Sequence, residues 1–260
     1  MTWLAQLVLS LAANLPMSQT IEFAPLSGQG LDSTIVQSDP DTAFGPSVAL
    51  SVARSEFGHY RTIIGFDLSG AMYGQDGIPA GSKIISATLR LNCSSAAPAA
   101  SSCSVHLLKS GVEVVSLETT WNSQHTGVPW IVPGGDYERT ASATFLAPIV
   151  EGFFDISGLV NAVQDALDDN DRVCNLILRY STEDTSNQAW NVASSETPYQ
   201  PISDRPRLIV VYLPAAAGAT PVADPPDDAE ENRDVATTAG WVDLPIGDAR
   251  SHQATQTPDP

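Results

Sequence analysis

The sequence predicts an all-β protein: an antiparallel β-sandwich carrying one short helix, with an N-terminal helix in front of it and an extended C-terminal tail behind. Three observations predict this. Short apolar runs that alternate in polarity recur roughly every dozen residues through the body of the chain. Gly, Pro and Asp stand between the runs, as tight turns require. Helical spacing appears once in the body, within 155–172, too rarely for the crossovers of a parallel sheet. The expected organisation is a helical arm over 1–20, a sandwich over 21–213 and an acidic tail over 214–260.

The first twenty residues carry no charge. Leu4, Val8, Leu11 and Leu15 form a helical seam that ends at Pro16. Two heptads are marginal alone, so such a helix needs a partner, and these four residues are docking candidates. A secretory signal is the alternative reading of the same segment. It lacks a basic start, since the first Lys or Arg is Arg54, and it has no clear small-x-small cleavage site. The apolar run is too short to span a bilayer.

In the body, "TIEFAPL" and "LDSTIV" read as short strands, and "PSVALSVARS" puts Val48, Leu50 and Val52 on one face. "YRTIIGFDL" is apolar on both faces. Arg61, Ile63, Gly65 and Asp67 share one of them, and strand rise sets Arg61 and Asp67 roughly 20 Å apart. They cannot pair, so each needs its own partner at a sheet corner. "IISATLRLNC", "CSVHLLKS", "TASATFLA", "CNLILRY", "QAWNVASSE" and "PRLIVVY" complete the strands. The helix lies in "DISGLVNAVQDALDDNDR", with Asp155 or Ser157 as its cap and Leu159, Val160, Val163, Ala166 and Leu167 as its apolar face. Aspartates crowd its C-terminal end, against the helix dipole, so it should stop early.

The tail from 217 onward holds nine acids and two Arg, and its Pro/Ala/Asp/Thr composition is that of disorder. Trp241, Val242, Leu244 and Ile246 interrupt it, and Trp241, Leu244 and Ile246 read as an anchor for a partner surface. The formal net charge of −18 excludes nucleic acid as a partner, because phosphate binding needs a surplus of Lys and Arg. Cys93, Cys103 and Cys174 form no metal motif and occupy core parity in their strands, which suits free buried thiols. A Cys93–Cys103 disulfide across "SSAAPAASS" is the alternative.

Enzyme signatures such as HExxH, GxSxG or a glycine-rich phosphate loop do not occur, and the four His are scattered, so no catalytic residue is assigned. Aromatic and hydrogen-bonding residues concentrate in "TTWNSQHTGVPWIVPGGDYERT". Trp121 suits a buried corner. Trp130 and Tyr137 read as exposed on a Pro/Gly-rich loop, and with Asp136, His125 and Trp190 they are the glycan-binding candidates. Asp32, Asp39, Asp41 and Asp155 supply oxygens at strand ends for one structural calcium ion, the single cofactor candidate.

The pieces also carry a family signal. "DSTI", "PDTAFG", "LSV", "RTIIGFDLS", "IPAGSKIISATLRL", "TTW", "PGGD", "FFDISGLV", "SSE" and "RPRLIVVY" follow one another from 30 to 212. Their order and spacing resemble the DNRLRE-type domain, also described as carbohydrate-binding module family 96. The resemblance implies a two-sheet jelly roll of roughly eight to ten antiparallel strands. It also implies no catalytic residues, and a role as glycan binder or spacer. Two tryptophans common in relatives, before "TTW" and within "NAVQDAL", are replaced here, so the ligand does not carry over. The function expected is a non-catalytic structural or interaction protein, built into a larger assembly through its arms, with a phage virion decoration or tail adhesion subunit as the setting and homo-oligomers as the form. A secreted or cell-surface module that binds polysaccharide is the alternative.

Overall fold

A computed structural model describes residues 17–25, 30–196 and 201–215. The expected docking residues Leu4, Val8, Leu11, Leu15, Trp241, Leu244 and Ile246 lie outside the described residues. The body is all-β and antiparallel. Its strands are β1 (Gln19–Phe23), β2 (Leu31–Val36), β3 (Ala49–Ser55), β4 (Gly58–Asp67), β5 (Lys83–Ser95), β6 (Ser102–Leu107), β7 (Ser123–His125), β8 (Val128–Pro129), β9 (Ala143–Leu146), β10 (Gly152–Ser157), β11 (Val173–Tyr180), β12 (Gln188–Ala193) and β13 (Arg207–Leu213). β1 begins inside the segment assigned to the N-terminal arm, so the strand region starts at Gln19 rather than at residue 21.

Eleven strands form one curled sheet in the order β1-β13-β5-β12-β3-β4-β11-β6-β9, with β10 beside β5 and β2 beside β4. β7 and β8 make a separate ribbon. Alternation explains the curl. Every second residue of each strand points inward, and these residues meet in one core: Leu89 and Leu91 of β5, Leu208 and Val210 of β13, Ile64 and Phe66 of β4, Leu176 and Leu178 of β11, Trp190 and Val192 of β12. Each fully buried aliphatic of this kind contributes about 1.5–3 kcal/mol. The resulting packing is sandwich-like.

The helix α1 (Val160–Asp168) buries Ala162, Val163, Ala166 and Leu167 against this core. Gln164 pins it to the start of β5, accepting from the Ile84 N–H at 2.9 Å and donating to the Ser82 carbonyl at 3.2 Å. The expected caps are corrected. Asp155 and Ser157 belong to strand β10, and Leu159 occupies the cap position without a side-chain bond. Two inward residues of β10, Phe154 and Ile156, join the core, which is why this segment continues as strand.

A second apolar cluster lies on the outer face of β2, β4 and β11, where Ile35, Ile63 and Ile177 meet Leu108, Val112, Val114, Trp121 and Trp130. The covering layer is the long segment 108–139, which folds back as a flap. This explains why β4 is apolar on both sides: one face meets the main core and the other meets the flap. Main-chain bonds tie the flap down, from Leu108 N–H to Asn175 O and from Glu138 N–H to Leu107 O, both at 2.8 Å. The Trp130 indole N–H donates to Thr120 O at 2.9 Å.

Arg61 fastens the same layer. Its guanidinium donates twice to the Glu183 carboxylate, at 2.8 and 2.7 Å, and once to the Gly134 carbonyl. It lies 4.6 Å from the Trp121 ring and 5.6 Å from the Tyr137 ring. Arg179 shares Glu183 at 2.9 Å and donates to the Tyr137 hydroxyl. Gly134 has a φ of +94°, and a Cβ there would lie 2.5 Å from the Arg61 guanidinium, so only glycine fits. Asp67, at the far end of β4, instead accepts from the Ser69 and Met72 N–H groups at 2.9 and 2.8 Å. The two charges of β4 therefore have separate partners.

Cys93, Cys103 and Cys174 are free and buried. Burial pushes the Cys103 and Cys174 thiols up to about 12.

Breaking the Arg61 clamp should be costly, because it leaves part of a buried carboxylate uncompensated. Arg61→Ala is expected to lower unfolding stability by about 3 kcal/mol, measured as a shift in urea midpoint. Arg90→Ala, in an exposed ion pair, should leave the midpoint nearly unchanged.

Candidate functional site

The strands that send Leu89, Leu91, Ile156 and Leu208 inward present their alternate residues to solvent. On this outer face β10 shows Phe153, Asp155 and Ser157, β5 shows Thr88, Arg90 and Asn92, β13 shows Arg207 and β1 shows Glu22. Register lines them up. Asp155 stands opposite Arg90, and Arg90 opposite Arg207, so three neighbouring strands place an acid and two bases in one row. Phe153 opposes Asn92 in the adjacent row.

The row is paired internally. Arg90 donates from Nε and Nη2 to the two Asp155 oxygens at 2.8 and 2.9 Å. Arg207 donates to Glu22 at 2.7 Å. The hydrogen bond from Arg90 holds the Asp155 carboxyl below its ordinary range, and the same bond raises the guanidinium. The Arg207 Nε has no partner among the described residues. A groove of about 480 Å³ runs over this row, lined by Arg90, Phe153, Phe154, Asp155, Ser203 and Arg207. Its size falls within the range of small-ligand sites. Phe153 is 55 % exposed, an aromatic on a strand face with nothing over it among the described residues. A flat surface with donors, acceptors and one bare ring is suited to holding a polyhydroxylated ligand.

The glycan candidates of the 119–140 loop are placed differently from expectation. Trp130 and Asp136 are 4 % exposed and Trp190 is 1 % exposed. Trp130 is buried because it fills the space between the flap and the isoleucines of the sheet. Trp190 lies on the inner face of β12, edge-on to Phe145 and Phe154. Asp136 accepts from the Ile131 and Val132 N–H groups at 2.7 and 3.0 Å and so holds the loop tip. Tyr137 packs against the flap cluster and 4.9 Å from His106. His125 lies half-buried, 3.7 Å from Glu113. The Pro/Gly-rich loop keeps its aromatics beneath it as adhesive, so they form no open platform. Trp121 is buried, as its position after two threonines suggested.

The calcium candidates do not converge. Asp39 accepts from Thr42, Asp41 from Asn122, and Asp155 from Arg90. Asp32 is buried at the β12 end, where Ser195 N–H donates to it at 2.7 Å. Among the described residues no three His, Cys, Asp or Glu side chains gather as metal ligands. His106 meets the Ser104 hydroxyl at 3.0 Å and the Glu138 carbonyl at 2.9 Å, a pairing of nucleophile and base type. Both side chains are at most 5 % exposed, so the Ser104 oxygen is closed to substrate, and burial lowers the His106 pKa. No helix among the described residues is long and apolar enough to cross a membrane.

Phe153, Arg90 and Arg207 escaped the sequence reading. The signal was present in "GFFDIS", where Phe153, Asp155 and Ser157 alternate with Phe154 and Ile156, but helix capping claimed Asp155 and hid the strand. No protein-family model matches the chain, and a search of curated proteins found no match.

Asp32 yields a pH prediction. Burial raises its pKa to about 6, against an unfolded value of about 3.9. The native state then binds the proton more tightly, so the residue's contribution to stability is greatest below about pH 4 and falls away as pH rises through about 6. Over that window the difference in unfolding free energy between the native sequence and Asp32→Asn should change by roughly 3 kcal/mol, read from urea titrations at stepped pH.

Proposed function

We propose that this protein is a non-catalytic interaction module, a jelly roll of the carbohydrate-binding-module kind, that holds a glycan on the open face of β10, β5, β13 and β1. The observation that carries this reading is the groove over the Asp155–Arg90–Arg207 row, with Phe153 bare beside it. Sugar recognition needs an aromatic face for ring C–H groups and planar polar side chains for hydroxyls, and both stand here on rigid strands. The DNRLRE-type resemblance supports the same reading. The setting is extracellular, at a cell surface or on a virion.

A second reading is that of a structural subunit, a phage virion decoration or tail adhesion protein that forms homo-oligomers. Leu146, Ile149 and Val150 favour it, since three large apolar side chains stand exposed at and just after the end of β9. The apolar seam of residues 4–15 and the Trp241 segment supply the attachment arms. A full-length chain that sediments as a monomer, unchanged by deleting residues 1–16 and 216–260, would count against it.

Affinity electrophoresis through gels containing single polysaccharides tests the glycan reading. At least one polysaccharide should retard the full chain, and Phe153→Ala should weaken retardation by roughly tenfold. Ile131→Ala, 83 % exposed on the flap tip, is the control and should migrate like the unsubstituted chain. Retardation by none of the polymers removes the reading.

A further inference from the structure

Resting on the glycan reading above, we infer that the ligand of the open face is an uncharged pyranose polymer, and that the Asp155–Arg90 and Glu22–Arg207 pairs select it against acidic polysaccharides. Two arginines on a sheet face would ordinarily invite a carboxylate or sulfate. Here each already has its anion: Arg90 is bonded by both Asp155 oxygens, and Arg207 by Glu22. The two pairs sum to zero charge, inside a chain of formal net charge −18. An anionic polymer must displace a bonded carboxylate or lie against it, and long-range repulsion opposes its approach.

A hydroxyl group has no such difficulty, because it donates and accepts at once. It can give its proton to a carboxylate lone pair of Asp155 or Glu22 while accepting from a guanidinium N–H. Arg90, whose side chain is 41 % exposed, presents such N–H groups. Strand spacing sets neighbours within a row about 4.8 Å apart across the sheet and successive rows about 7 Å apart along the strands. Phe153 stands two residues from Asp155 on the same face, so a ring stacked on Phe153 reaches the row with its hydroxyl edge. Ser157 and Thr88 extend the polar surface on the far side, where their hydroxyls lie 3.4 Å apart. An acidic ligand would use the donors and leave the carboxylates opposed.

The test uses the full chain and two sets of polymers: laminarin, hydroxyethyl cellulose and galactomannan as neutral probes, alginate and polygalacturonate as acidic ones. The expected result is retardation by a neutral probe that persists from about 50 to about 500 mM sodium chloride, and none by the acidic probes. Phe153→Ala and Asp155→Asn should each weaken the neutral interaction by roughly tenfold. Asp155→Asn should also gain retardation on polygalacturonate at low salt, because it releases Arg90. Both positions are exposed, and unchanged thermal midpoints would confirm that the variants fold. Retardation by alginate or polygalacturonate that disappears at high salt and with Arg90→Ala overturns this inference and leaves the glycan reading standing. So does neutral binding that ignores both substitutions, since it then occurs elsewhere. Retardation by no probe of either set removes both.

Discussion

A buried guanidinium is tolerable only when its donors are satisfied, and Arg61 meets that condition with groups from two distant parts of the chain. Glu183 comes from the loop after β11 and Gly134 from the flap. Trp121 and Tyr137 supply the ring faces above and beside it. The flap has little regular structure of its own, so its position depends on such fastenings and on the isoleucines beneath it. Neighbouring Asp184 holds Arg54 at 3.2 Å, so a single two-residue stretch anchors one cation from β3 and one from β4. Arg54 and Arg61 thus act as corner fittings, each matched to an acid that arrives from elsewhere in sequence.

The two outer faces of the curled sheet consequently differ. The face of β2, β4 and β11 is closed by the flap, and its aromatics are consumed in packing. The face of β10, β5, β13 and β1 has no such cover among the described residues. Its charged residues pair sideways along the sheet surface, within reach of water, which leaves a groove and an exposed Phe153. The same alternation that builds the core therefore also decides which face is available for binding.

Much of the fold was legible in the residues. "LDSTIV" corresponds to β2 residue for residue, and the strands around Ile64, Leu89, Leu176 and Val210 lie where alternation placed them. Period-two patterning is a strong signal when one face is buried and the other is wet. It fails when both are buried, and "YRTIIGFDL" gave no hint of what covered its second face. The cover is a flap of low regularity, whose Gly and Pro residues imitate an exposed loop. Trp130 and Tyr137 were misplaced for that reason. β10 was missed through competition between local rules: Asp155 and Ser157 are good helix caps, and only the tertiary partner Arg90 shows that Asp155 faces outward on a strand. The candidate site was accordingly not legible, because it is assembled by register between segments more than sixty residues apart, as the Arg90–Asp155 pair illustrates.

The three unlinked thiols bear on where such a chain can mature. Cys93 and Cys103 sit on successive strands, yet neither is tied to the other, and no covalent staple contributes to the stability of the body. A fold held by its apolar interior and its corner ion pairs has no need of an oxidant, and its thiolates are suppressed by burial, which slows both mispairing and exchange. Forming the body therefore calls for no disulfide chemistry, and its interior packing holds whether or not an oxidant is at hand.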